Sequence, residues 1–197
     1  FIIFKPFILD SPALNNNYIK SMSDSLSLSI VGMCRDGKRF TELYRFRELI
    51  KKGTINFSYA GWSPKITRRS SGINAAIMNG YLSKCLMSEE RISDKNVHEF
   101  LNDSHAIIDL KIIGDKTPLG ITSGNVGLSR ALMIPLIAHD RHYPDFHCIR
   151  YSNYEHLLNI LMDKSMITDI LIRHRNKLIN EHVEYNLLAK QALMKYQ

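Results

Sequence analysis

The chain has 197 residues, 45% hydrophobic and 23% charged, enough to bury the core of one large domain or two small lobes. No apolar run reaches the roughly 18–20 residues that cross a membrane, Lys5, Pro6 and Asp10 interrupt the apolar opening so that no secretory signal is expected, and Cys34, Cys85 and Cys148 are too few and too scattered for a disulfide framework. The net charge of +7 is local: between 35 and 69 stand ten Lys and Arg against Asp36, Glu42 and Glu48, and the remaining 16 basic residues are matched by 16 acidic ones, a pattern suited to a polyanion partner.

Residues 1–20, apolar and then Asn-rich, read as an extended arm. Leu26, Ile30 and Met33 give a short helix over 23–35, broken by Asp36-Gly37. Phe40, Leu43, Phe46 and Ile50 make the stripe of an amphipathic helix over 39–52, ended by Gly53. Ile55, Phe57 and Tyr59 alternate with polar residues at strand period, and Ala60–Pro64 supplies a turn, so 55–68 reads as a β-hairpin with Tyr59 and Trp62 as the candidates for exposure, Trp62 being equally able to anchor the hairpin. Ile73, Ile77, Tyr81 and Cys85 predict a helix over 73–87, with Lys84 on its stripe. Another helix is expected over 94–103. The four glycines and Pro118 within 104–127 mark a lobe boundary, after which 128–138 reads as a buried helix ending near Pro135. Ser152 and Glu155 form a capping box for a helix over 153–162, and 165–196 is periodic enough for one or two long helices. The expected fold is mainly α: a two-lobed helical core with a small β-hairpin in the first lobe and terminal arms. Its expected parts are an N-terminal arm (1–20), an N-terminal lobe (21–103), a C-terminal lobe (104–164) and C-terminal helices (165–197).

Catalytic and metal signatures are weak. His139, His142, His147 and Cys148 are dense but follow no zinc spacing, and a surface turn explains them as well. Residues 122–127, Thr-Ser-Gly-Asn-Val-Gly, resemble the cofactor-carboxylate loop of fold-type II pyridoxal-phosphate enzymes, with Lys95 upstream, but only over six residues. No P-loop or nucleophile elbow occurs, so no cofactor, metal or catalytic residue is expected. The basic stripe interleaves with aromatics, which favours sequence-tolerant single-strand binding, since bases stack on rings while Lys and Arg follow phosphates.

The order of features resembles the nucleocapsid proteins of the bunyavirus group of segmented negative-strand RNA viruses, nearest the orthobunyavirus and tospovirus types. The similar segments are residues 24–28, the basic run 38–52, the hairpin 57–66 with Gly-Trp at its turn, the Gly-Tyr-Leu segment 79–84, and 134–137 followed by His142 and 154–161. The resemblance implies a non-enzymatic nucleoprotein that encapsidates single-stranded RNA between two lobes, oligomerises through its arms, meets a viral polymerase, binds no membrane, and resides in the virion and host cytoplasm. It assigns RNA contacts to Lys38, Arg39, Arg45, Arg47, Lys51, Lys52, Lys84, Arg68 and Arg69, and more weakly to Arg141 and Arg150; Tyr59 and Lys65 join them from the hairpin. The alternative expectations are a small enzyme, such as a bacterial effector using Cys34, Cys148 or the His139–His147 cluster, and a basic adaptor for an acidic protein or membrane surface.

Overall fold

Leu26, Leu28 and Ile30 alternate with Ser27 and Ser29, and the backbone follows that period of two. The structure is a computed structural model describing residues 22, 24–32, 40–62, 71–110, 124–143 and 146–194. Residues 26–31 form strand β1 (Leu26–Val31) rather than the expected helix. Five further strands follow: β2 (Ile55–Trp62), β3 (Lys84–Ser88), β4 (Ala106–Ile108), β5 (Leu136–His139) and β6 (Ile149–Tyr151). They make one sheet in the order β3-β2-β1-β4-β5-β6, and every pairing is parallel. The fold is therefore α/β and doubly wound, not a mainly helical pair of lobes.

Parallel strands need covering on both faces, and the helices supply it. A 3-10 segment (Phe40–Phe46) runs into α1 (Arg47–Lys51); α2 (Ser71–Met78), α3 (Asp94–Leu101), α4 (Gly124–Leu132), α5 (Tyr154–Met162) and α6 (Lys164–Met194) follow. Phe40, Leu43 and Phe46, Ile73 of α2, and Leu157 and Leu161 of α5 pack on one face, against Leu26, Leu28, Ile30 and Phe57. Phe100 and Leu101 of α3, Val126 of α4 and Leu178 of α6 pack on the other, against Val31, Ala60 and Ile107. At about 1.5 Å per residue α6 is roughly 46 Å long; it is buried at Ile167 and Leu171 in the first core and at Leu178 in the second.

Gly61 shows why β2 is not half a hairpin. It lies inside the strand, paired with Met87, and a Cβ there would run into the carbonyl oxygen of Gly32 and the Tyr59 hydroxyl. The Tyr59 hydroxyl donates to that same carbonyl at 2.9 Å, and its ring packs edge-on against Phe40 at 5.0 Å. Tyr59 is fully buried, so it cannot serve as a stacking platform.

The remaining differences have similar causes. The helix expected over 73–87 stops at Met78, Gly80 turns at φ +69, and the rest becomes β3. The helix expected to reach 138 stops at Leu132, and Pro135 precedes β5. The helix at 94 has its side-chain cap, Ser93 accepting from the Asn96 N–H. At 153 the cap is Asn153, accepting from the His156 N–H at 2.9 Å, one residue beyond the expected Ser152. The expected 1–20 arm lies outside the described residues.

Candidate active site at the carboxyl edge of the sheet

All six strands are parallel, so their carboxyl ends open on one edge. Between β1 and β4 the chain reverses its winding direction, and in open α/β sheets ligands bind in the crevice at that point. Gly32 (φ +104) ends the β1 side, with Asp109 and Leu110 ending the β4 side. α4, the helix that follows β4, begins at Gly124, and Asn125 in its first turn is buried.

The exit of β4 is held by hydroxyls from three later residues. Tyr151 donates to the Asp109 carbonyl at 2.6 Å and Tyr154 to the Leu110 carbonyl at 2.8 Å. Tyr143 donates to the Asp109 carboxylate at 2.7 Å, and His142 Nδ1 lies 3.8 Å from the same oxygen. Buried polar groups must find such partners or cost about 1–3 kcal/mol each, so Asp109, 7% exposed, is seated by design of its surroundings. Burial raises the Tyr151 hydroxyl far above its ordinary range, with Tyr154 and Asp109 adding to the effect, so it remains a donor. His139 closes the cluster, with Nδ1 2.9 Å from Asp140 Oδ1 and its ring edge-on to Tyr151.

Those expected site residues that are described lie on several elements. Arg45, Arg47, Lys51 and Lys52 are on the exposed or half-exposed side of the first helical segment, where Arg45 pairs with Glu42 at 2.6 Å and Arg47 with Glu48 at 3.3 Å. Lys84 starts β3, 3.9 Å from Asp103 and 4.8 Å from the Phe100 ring centre. It lines an amino-edge cavity of about 70 Å³ with Ser27, Ser58 and Ser104, too small for a drug-sized ligand, which takes roughly 300 Å³ or more. Among the described residues of that set, only Arg141 and Arg150 belong to the carboxyl edge and its connecting segment. Lys38, Arg39, Lys65, Arg68, Arg69 and Cys34 lie outside the described residues, as do Thr122 and Ser123 of the six-residue loop, whose remainder is the start of α4. Lys95 is an exposed helical lysine 3.9 Å from Glu99. Cys148 is buried, and burial pushes its thiol up, which opposes a nucleophilic role. His147 stacks on His174 of α6 at 4.3 Å, away from His139 and His142, which lie 5.9 Å from each other. Among the described residues no three His, Cys, Asp or Glu gather as a metal site.

Sequence reasoning assigned no site role to Asp109, Tyr143, Tyr151 or Tyr154. The signal that could have found Asp109 is a short apolar run ending in a carboxylate, the form of a buried strand reaching the carboxyl edge.

No family model and no curated protein matches the sequence. Among solved structures the chain resembles the C-terminal domain of a glycosyl transferase group 1 family protein (LpcC) from Francisella tularensis, at TM-score 0.51 and 13% identity, over 92% of this chain and 94% of that one. It resembles the catalytic domain of starch synthase IV from Arabidopsis thaliana bound to ADP and acarbose at TM-score 0.53 and 13% identity, over 91% of this chain and 42% of the other. It also resembles the N-terminal domain of trehalose-6-phosphate phosphatase from Candida albicans at TM-score 0.54 and 11% identity, over 86% and 40%. The chain thus spans about two fifths of the last two structures. The nucleocapsid resemblance is overturned, and with it the RNA coat, its arm-exchanged oligomer, its polymerase partner and the non-enzymatic reading: a six-stranded parallel sheet replaces the two helical lobes. The architecture this chain shares with known proteins is the doubly wound α/β fold of these domains.

Proposed function

We propose that the chain is the nucleotide-binding part of a sugar-transferring enzyme, taking a nucleoside diphosphate sugar at the carboxyl edge between β1 and β4. The observation that carries this is the strand order, which puts the reversal point beside the tethered Asp109, with α4 the next described element after β4. Such a crevice suits a diphosphate, because the glycine at the end of β1 lets backbone approach closely and helix amino ends favour negative charge. Likeness to a glycosyl transferase's C-terminal domain along nearly all of both chains supports the reading. So does likeness to a starch synthase domain bound to ADP.

Amide chemical shifts on titration with ADP, UDP and GDP and their glucose conjugates test it. Expected are shifts at Gly32, Asp109, Leu110, Gly124 and Asn125, and slow release of nucleoside diphosphate from one conjugate. Silence at those amides with every ligand, or shifts confined to the amino edge around Ser27 and Ser104, refutes the reading. The cysteine route to an enzyme gains nothing from the buried Cys148.

A further inference from the structure

Parallel neighbours are usually joined by a crossover of a dozen or more residues, commonly a helix that satisfies its own carbonyls. Between β5 and β6 stand only residues 140–148, and the described parts of that connection, Asp140–Tyr143 and Phe146–Cys148, contain no helix. Four of its carbonyls turn instead onto one side chain. The Arg150 guanidinium donates from Nη1 to the carbonyl oxygens of Asp140 (2.7 Å) and His142 (3.1 Å). From Nη2 it donates to those of Tyr143 (3.2 Å) and Phe146 (3.2 Å). Tyr143 adopts φ +52, a left-handed conformation disfavoured for a residue of its size. The turn keeps it because its carbonyl is held by Arg150 and its hydroxyl is held by Asp109 at the exit of β4. The connection is therefore pinned to β6 through its backbone and to the reversal-point strand through a side chain.

Arg141 stands between those pins. It is exposed at the carboxyl end of β5, its backbone N is 3.3 Å from His139 Nδ1, and its guanidinium has no ion-pair partner among the described residues. We propose that Arg141 binds a phosphate of the ligand at the carboxyl edge and that Arg150 is the positioning residue that holds it there. The inference rests on the nucleotide reading and adds which cation meets the diphosphate and what orders it. Arginine matches phosphate with two parallel N–H donors, and a fixed turn lowers the cost of ordering its backbone on binding. Lysine at 150 would keep the charge but lose the planar fork that reaches four carbonyls.

Calorimetric titration of ADP, UDP and GDP into the wild type, R141A, R150K, Y143F and the doubles R141A/R150K and R141A/Y143F separates the roles. Thermal unfolding of each variant is measured beside it. R141A should weaken the best ligand about tenfold, the scale of one lost charge-assisted contact. R150K and Y143F should each weaken it by a smaller factor. Both doubles should bind no worse than R141A alone, because with Arg141 gone there is nothing left to position. Y143F leaves Arg150 intact, so it carries the test if R150K does not fold. Unchanged affinity in R141A, or factors that multiply in the doubles, overturns the proposal while leaving the nucleotide reading in place. A wild type that takes none of the three ligands overturns the nucleotide reading and this proposal with it.

Discussion

His105 makes the most direct test of how the sheet is built. It precedes β4 and is 3% exposed; its Nδ1 accepts from the Ser27 N–H at 2.8 Å, and its own N–H donates to the Ser27 carbonyl at 2.8 Å. A proton on Nδ1 would break the first of these bonds. Burial, with Arg175 adding and Asp103 opposing, lowers its pKa from 6.5 to about 4. The unfolded chain takes up this proton near pH 6.5 and the native one only near pH 4. Stability is therefore full above pH 6.5 and falls as the pH drops between those values. The ceiling is about 3 kcal/mol, and the loss at pH 5 is about 2 kcal/mol. In H105N the amide oxygen replaces Nδ1 as acceptor but does not titrate. Urea unfolding followed by far-ultraviolet circular dichroism at pH 8 and pH 5 reads the difference. At pH 8 the variant should be the less stable through lost packing. From pH 8 to pH 5 the wild type should lose about 2 kcal/mol more than H105N. Parallel losses in the two proteins would refute the account of His105 as a buried neutral acceptor.

Gly61→Ala should cost more than about 2 kcal/mol, because the new methyl meets the Gly32 carbonyl and the Tyr59 hydroxyl, and adding Y59F should recover part of the loss in denaturant midpoint. Tyr151→Phe should cost about 1–2 kcal/mol by leaving the Asp109 carbonyl without its buried donor; equal midpoints for variant and wild type would remove that tether. Ser29→Ala breaks the 2.6 Å contacts that link the hydroxyls of Ser58, Ser29 and Ser104, and a destabilisation of about 1 kcal/mol is expected from chemical unfolding. In the native protein Cys85 should react with a thiol reagent well before Cys148, and mass mapping of the labelled peptides checks the order.

The amino-acid pattern by itself determined the parts whose period is unmistakable. The stripe of Phe40, Leu43 and Phe46 is buried as read, the helices near 94 and 154 sit within a residue of their expected starts, and α6 takes up the periodic C-terminal stretch as far as Met194, the last described residue. The alternation of Ile55, Phe57 and Tyr59 also marked a real strand. Its partner was decided elsewhere. A strand buried on both faces in a parallel sheet carries no sign of which distant segment it pairs with, and β4, β5 and β6 have three or four residues each, too few for any period to show. Leu26, Leu28 and Ile30 fit strand spacing as well as Leu26 and Ile30 fit helical spacing, and only pairing with β2 and β4 settles it. The candidate site was hidden for the same reason: Asp109, Tyr143, Arg150, Tyr151 and Tyr154 are separated by up to 45 positions and meet because parallel pairing brings β4, β5 and β6 to one edge. The net charge, which dominated the sequence reading, turned out to be in part a helix face paired with its own Glu42 and Glu48, since charge counts report solvation and not topology.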